Sequence, residues 1–315
     1  GSGPWMYDEM SDTYVVLKPN PNYNGEFPAK DNELRIESLT DPTARVTAQQ
    51  EGTTLVTESV PPESIDQLKA AGVSIDEVNG FGTRFIMFNV KKAPWNDVKA
   101  RQAIIYALNT DQMISNAFSG MAAVATSYLP SSFTNYHKAS VTYTYDADKA
   151  KEYYEQAKSE LGKDSFTFNM VVDADDAPQK VAQVVKEQLE TTLAGFTLNL
   201  TVEPKKQRVQ DMQDGNFEIG LTRWGPDYAD PMTYLGMWVT GNSNNYGLWS
   251  DADYDAIIDE CTTGDLCTDP EGRWAALYEA EQIVLEQAVI FPLYGQCNAE
   301  MVSSAVTGVA FHPVA

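Results

Sequence analysis

The sequence has little of what most catalytic and metal sites use. Its 315 residues include two histidines, His137 and His312, and neither has a partner at the spacing of a metal site or a catalytic triad. A phosphate-binding loop is also missing, since LGKDS at 161–165 lacks the upstream glycine of a P-loop. We therefore predict a protein with no catalytic residues, no metal site and no cofactor.

Basic residues and long apolar runs are also scarce. The chain carries 22 basic against 45 acidic residues, a net charge of -23, which opposes binding to phosphate backbones and anionic lipids. No stretch approaches the roughly 20 apolar residues that span a bilayer. Nucleic acid and membrane lipid are therefore poor partners. With 43% hydrophobic residues, the chain can bury a sizeable core, and its length suggests about two domains.

Cysteine occurs three times. Cys261 and Cys267 flank the glycine-containing stretch CTTGDLC, which favours a short disulfide loop in an oxidising compartment and two ordinary thiols in the cytosol. Zinc would need two further ligands. We predict the disulfide, and we predict that Cys297, in VIFPLYGQC, is a buried small hydrophobic residue.

The order of apolar patterns indicates an α/β fold. Strand-like FTFNMVV and FTLNLTV enclose a helical pattern over 177–195, and short joins of this kind favour a right-handed parallel crossover. A short helix over 205–213 and the strand FEIGLT at 217–222 follow. Open α/β sheets bind ligands beyond the carboxyl ends of their strands. The stretch LTRWGPDYADP at 221–231 contains such an end.

Two carboxylates in that stretch have different predicted roles. Asp227 lies between Trp224 and Tyr228, where it could bind a ligand ammonium or form an internal salt bridge with Arg223 or another base. Asp230, next to a proline, is predicted to be a turn residue. A glycosidase-like pair of Asp227 and Asp230 is supported only by their spacing, which is weak evidence.

Six separated motifs resemble a known family. They are similar, in order along the chain, to motifs of the extracellular solute-binding proteins of the peptide, oligopeptide and nickel class, family five, which serve ABC importers. The motifs are GSGPW at 1–5, LKPNPNYNG at 17–25, KAPWNDVKARQAIIYALNTDQMI at 92–114, RWGPDYADP at 223–231, NSNNYGLWSDADYDAIIDE at 242–260 and AVIFPLYGQCNAEMV at 288–302.

The resemblance implies a periplasmic-binding-protein-like α/β fold of the class II, or cluster C, type, with two lobes joined by a hinge. Residues 1–82 would belong to the first lobe, 83–289 would form the distal ligand-binding lobe, and 290–315 would supply the return strand and tail to the first lobe. In the family, the GSGPW motif lies well inside the chain. The first lobe is therefore expected to be incomplete, and the sequence to be a C-terminal portion.

The function implied by the resemblance is binding without catalysis. The protein would be a monomer outside the cytoplasm, in the periplasm or anchored at the cell surface as a lipoprotein, and would bind peptides between its lobes for an ABC permease. The main alternative keeps the fold and changes the ligand to a sugar, a metal chelate or another small molecule. An enzyme using Asp227 and Asp230, or a surface module for a protein partner, are further alternatives.

The resemblance also assigns binding residues. Asp227 matches the acid that holds the peptide α-ammonium, and the backbone from Arg223 to Gly225 matches the segment that pairs with the peptide. Trp224 and Tyr228 would form the wall of the cleft. Arg223 departs from the usual glycine of the family, which leaves the width of the site open. The residues expected to line the same cleft are Asn244, Asn245 and Tyr246.

Overall fold

The computed structural model describes residues 1–118, 122–130, 133 and 143–311, apart from the side chains of 77–79 and 296–297. His137, His312 and the side chain of Cys297 therefore lie outside the described part. The chain divides into two compact units. The first comprises 1–77 and 299–309, and the second comprises 78–298 with Ala310 and Phe311.

Strands and helices alternate along most of the described chain. The strands are β1 (Trp5–Met10), β2 (Tyr14–Pro19), β3 (Leu34–Glu37), β4 (Val56–Thr57), β5 (Ile75–Phe88), β6 (Ala123–Val124), β7 (Phe166–Asp173), β8 (Phe196–Glu203), β9 (Ile219–Trp224) and β10 (Ile290–Val302). The helices are α1 (Pro42–Gln50), α2 (Pro62–Ala70), α3 (Val98–Tyr106), α4 (Thr110–Phe118), α5 (Ala147–Leu161), α6 (Asp176–Thr192), α7 (Lys205–Gln213), α8 (Met232–Leu235), α9 (Ala252–Thr262) and α10 (Pro270–Glu286). None of these helices has the length and apolar character needed to cross a bilayer.

The first unit contains a small antiparallel sheet in the order β1–β2–β3. Helix α1 begins at Pro42, because the Asp41 side chain accepts a hydrogen bond from the Ala44 N–H at 2.7 Å and Pro42 fills the first turn. The end of β10 pairs with β4 and places Glu300 beside Ser59, whose N–H donates to the carboxylate at 3.1 Å. Burial and the neighbouring Glu58 raise the pKa of Glu300 to about 7.

The raised pKa of Glu300 predicts a pH-dependent stability. The folded protein holds this proton more tightly than the unfolded chain does, so the stabilisation is full below about pH 4.5 and is lost as the pH rises through about 7. We expect Glu300→Gln to raise the free energy of unfolding at pH 8 by on the order of 1 to 2 kcal/mol, and to change it little at pH 4.5. Urea unfolding at both pH values measures this, with exposed Glu33→Gln as control. An equal gain at both pH values would contradict the assignment.

The second unit is built on a mixed sheet in the order β8–β7–β9–β5–β10, with β6 beside β10. Strands β7 and β8 are parallel, which confirms the predicted parallel pairing of the two strands joined by α6, and β9 is parallel to β7 on its other side. Strand β5 is antiparallel to β9. The carboxyl ends of β7, β8 and β9 therefore lie at one edge of the sheet.

Apolar side chains cover both faces of this sheet. Along β5, Ile86 and Phe88 join one buried cluster, whereas Phe85 and Met87 join the other, as the alternation of a strand requires. The first cluster receives the apolar face of α6, and the second receives that of α10. Separate strands over 73–78 and 83–90 are expected from the sequence, but β5 is continuous, because Gly80 and Gly82 interrupt the apolar pattern without ending the strand.

Candidate functional site

The predicted site lies where β9 ends, at the edge of the sheet that also holds the carboxyl ends of β7 and β8. A loop over 225–231 follows β9 and leads into the short helix α8. This edge belongs entirely to the second unit. The structure thus places the predicted residues 223–228 at the position where open α/β sheets present ligand sites.

Side-chain and backbone contacts within the loop fix its shape. The Trp224 indole N–H donates to the backbone oxygen of Thr233 at 2.7 Å, and the Asp227 N–H donates to the Thr233 hydroxyl at 3.0 Å. Trp224 is half-buried and packs against the second apolar cluster. The loop is therefore held in its conformation by two contacts to Thr233.

Asp230 anchors the far end of the loop. Its carboxylate forms two parallel bonds with Arg273 of α10, at 2.8 and 2.9 Å, and accepts the Met232 N–H at 2.8 Å. Burial alone would raise the pKa of Asp230, but these hydrogen bonds outweigh it and hold the pKa below its ordinary value. The predicted turn role is confirmed, and the ion pair adds to it. Because its oxygens are already bonded, Asp230 does not pair with Asp227 as a glycosidase requires.

The carboxylate of Asp227, unlike that of Asp230, faces solvent. Its side chain is exposed, and within the described part of the chain its carboxylate makes no ion pair and no hydrogen bond. The salt bridge to Arg223 considered from the sequence is not found among the described residues, and the charge of Asp173 also acts on Arg223. Tyr228, which is 52% exposed, follows Asp227 directly. A carboxylate and an aromatic ring are thus presented together to solvent.

A charged cluster behind the loop was not predicted from the sequence. Asp173, at the end of β7, binds Arg208 at 2.8 Å and Arg84 at 3.4 Å, and Arg208 also donates to the Thr222 hydroxyl at 2.9 Å. Arg84 lies directly opposite Arg223 on the paired strands β5 and β9. The sequence contains one sign of this cluster, because Arg84 is a charged residue within the largely apolar stretch TRFIMFNV at 83–90.

The electrostatic surroundings of Arg223 differ from those of an isolated surface arginine. Its side chain reaches solvent, but protein atoms surround part of the guanidinium. This burial, together with the charge of Arg84, lowers the pKa of Arg223, while Asp173 opposes the change. Arg223, which stands where the resemblance leads us to expect glycine, therefore adds a second cation beside Arg84 at this edge of the sheet.

Asn245 has a different role from the one expected. It is 3% exposed, its amide donates to the backbone oxygens of Trp238 and Trp249 at 3.2 and 2.9 Å, and its oxygen accepts the Trp249 N–H at 3.2 Å. These bonds tie the Asn-rich loop together and leave the buried amide no access to a ligand. Asn244 is half-buried and accepts the Tyr246 hydroxyl at 3.4 Å, while Tyr246 packs against the second apolar cluster.

The disulfide predicted between Cys261 and Cys267 is not formed, since both thiols are free. Cys261 is buried in α9, and its sulfur approaches the backbone oxygen of Arg273 at 3.9 Å. Cys267 is exposed, and its sulfur lies 3.6 Å from the backbone oxygen of Cys261. Each sulfur thus contacts a backbone carbonyl, and burial raises the pKa of Cys261.

Comparison with known proteins gives a consistent set of similarities. The family model described as bacterial extracellular solute-binding proteins, family 5 Middle, matches residues 1–246. A dipeptide-binding protein of Lactococcus lactis subsp. cremoris is 29% identical over 99% of the chain and 60% of its own length. Heme-binding protein A of Haemophilus influenzae is 26% identical over 99% of the chain and 57% of its own length.

A solved structure agrees with these similarities. The substrate-binding domain of an oligopeptide ABC transporter from Bacillus anthracis superposes with a TM-score of 0.85 at 28% identity. The match covers 99% of the present chain and 62% of the Bacillus anthracis chain. The two-unit α/β architecture is therefore periplasmic-binding-protein-like, and the chain spans about three fifths of the length of the relatives it matches.

Proposed function

The chain belongs to the bacterial extracellular solute-binding proteins of family 5, and from this premise we propose that the protein binds peptides outside the cytoplasm and delivers them to an ABC permease. It acts as a monomeric binding component and catalyses no reaction. It works in the periplasm or anchored at the cell surface. Relatives named as dipeptide-binding and as part of an oligopeptide transporter support a peptide as the ligand.

The exposed carboxylate of Asp227 is the observation that carries this proposal. The carboxylate of Asp227 has no partner within the described part of the chain, and it stands beside the exposed ring of Tyr228. A peptide α-ammonium would give this carboxylate a charge-assisted hydrogen bond, worth roughly 1.5 to 3 kcal/mol. Trp224 and Tyr228 would add apolar contact to the first residue of the peptide. Asn244 and Tyr246 are secondary candidates for contact with the ligand.

The end of β9 supports strand addition as the way in which the peptide is held. The pairing of β9 with β7 extends to Leu221, whereas its pairing with β5 continues to Trp224. Within the described chain, 222–224 therefore have a strand partner on the β5 side only. An extended peptide along the open side would bond to the backbone from Arg223 to Gly225, a mode that tolerates many side chains.

Isothermal titration calorimetry on the protein in its full natural length tests this function. Pools of di-, tri-, tetra- and pentapeptides of mixed composition should include at least one that binds with a dissociation constant in the micromolar range or below. The absence of heat with every pool would contradict the proposal.

The alternative of a non-peptide solute has one specific support, which is the similarity to a heme-binding protein. Heme and metal chelates are therefore titrated in parallel with the peptide pools. Binding of heme or a chelate without any peptide would favour this alternative.

A further inference from the structure

Strand β8 forms an open edge of the larger sheet within the described part of the chain. It is the last strand in the order of that sheet and pairs there with β7 alone. An open edge offers unpaired backbone N–H and C=O groups to any other extended strand, including β8 of a second copy of the chain. A protein that remains monomeric therefore needs a feature that prevents this pairing.

The side chains of β8 do not provide such a feature. Residues 196–202 read FTLNLTV, with no charge, no proline and no glycine. Charged residues and proline are the usual protection of an edge strand. A seven-residue segment that favours strands and has neither of them is typical of segments that stack between copies. Any protection of this edge must therefore come from another element of the fold.

The backbone groups of Leu198 point away from β7. Just before β8, the oxygen of Gly195 accepts the Phe166 N–H at 3.0 Å. At the end of β8, the oxygen of Glu203 accepts the Ala174 N–H at 2.8 Å, so the odd-numbered positions face β7. Because the backbone groups of successive residues in a strand point to opposite edges, the even-numbered positions face the open side.

Two side chains of α6, Lys186 and Glu190, occupy the outward groups of Leu198, and we call them the α6 pair. The Leu198 N–H donates to the Glu190 carboxylate at 2.9 Å, and the Leu198 oxygen accepts from the Lys186 ammonium at 2.5 Å. Lys186 and Glu190 also pair with each other at 2.5 Å. The hydrogen bonds from Lys186 and from the Leu198 N–H hold the pKa of Glu190 below its ordinary value, which keeps the carboxylate ionised.

We propose that the α6 pair keeps the protein from associating through β8, and that without this pair β8 binds β8 of a second copy of the chain. With Leu198 occupied, the free outward groups further along the described edge are those of Leu200 and Val202. Freeing Leu198 opens the span 198–202, and about five residues is the usual length of a strand. In a twofold antiparallel pair centred on Leu200, Leu198 of each copy would lie opposite Val202 of the other, which is 43% exposed.

Sedimentation velocity of the full-length protein tests this inference with the double variant Lys186→Ala and Glu190→Ala. The double change removes one charge of each sign, so the repulsion between copies is kept, and alanine favours the helix. We expect the wild type to remain monomeric at micromolar concentrations, and the double variant to have an association constant at least about tenfold higher. Glu190→Ala alone frees only the Leu198 N–H and should associate more weakly than the double variant.

A third substitution identifies the surface that associates. Val202→Pro removes an outward N–H that β7 does not use, and proline is tolerated at such edge positions. Added to the double variant, it should restore the monomer. Dimers that persist after this substitution would overturn the inference, because association would then not depend on the edge of β8.

A matched control removes a similar pair from another helix. Glu155 and Lys158 of α5 pair at 2.6 Å, and among the described residues neither side chain bonds to a strand. Glu155→Ala with Lys158→Ala should leave the protein monomeric, and dimers in this control would count against a specific role of the α6 pair. A double variant of Lys186 and Glu190 that is as monomeric as the wild type would also overturn the inference.

Discussion

Replacing Asp227 by asparagine should weaken the binding of peptides with a free N-terminus by about 10- to 100-fold, while N-acetylated peptides lose little. The substitution keeps the size of the side chain and removes its charge, so the ammonium loses its charged partner. The backbone N–H of Asp227, which donates to Thr233, is unaffected, and the loop should keep its shape. Calorimetric titration with pairs of free and acetylated peptides measures the difference.

A matched control for this experiment is Asp164→Asn. Asp164 is likewise exposed, but it precedes β7 and so lies at the opposite edge of the sheet. We expect this variant to bind both kinds of peptide as the wild type does. An equal loss of free and acetylated peptides in Asp227→Asn would remove the ammonium role from Asp227, and unchanged binding of both would do the same.

Replacing Asp173 by alanine should have the largest effect on stability, lowering the free energy of unfolding by about 3 to 5 kcal/mol. Asp173 bonds to Arg208, whose side chain is 3% exposed, and to Arg84. Without the carboxylate, two poorly hydrated guanidinium groups would remain close together and to Arg223. Urea unfolding followed by circular dichroism measures the loss.

Two further variants isolate the cause of this loss. Asp148→Ala removes a fully exposed carboxylate that pairs with Lys151 at 3.8 Å, and should leave the free energy of unfolding nearly unchanged. Adding Arg208→Met to Asp173→Ala removes one of the unpaired charges and should recover part of the stability. A loss below about 1 kcal/mol for Asp173→Ala, or no recovery in the double variant, would show that the buried ion pair is not what stabilises this edge.

Local signals made several elements predictable. Asp146 and Gly162 predict a helix over about 147–161, and α5 covers Ala147–Leu161, because Asp146 accepts the Lys149 N–H at 3.0 Å and Gly162 takes a left-handed conformation at the other end. The extent of α7 and the parallel pairing of β7 with β8 were likewise predicted. In each case, the residues that determine the structure are close together in the sequence.

The features that the sequence did not predict depend on contacts between residues that are far apart along the chain. The turn at Asp230 is predictable from its neighbours in the sequence. Its ion pair is not, because Arg273 lies 43 residues away. Asn245 looked available for a ligand until its burial among three backbone groups was known. The opposition of Arg84 and Arg223 depends on the register of β5 and β9, which residue types alone do not determine.

In the loop after β9, the residues that hold its shape differ from those whose side chains face solvent, and this separation affects how ligand preference evolves. The contacts that hold the loop use Thr233, Arg273 and Asp230, whereas Asp227 and Tyr228 are exposed and contribute little to its shape through their side chains. Mutations at the exposed positions can therefore change what is bound at low cost in stability. The loop is a site where new specificities can accumulate while the scaffold is inherited unchanged.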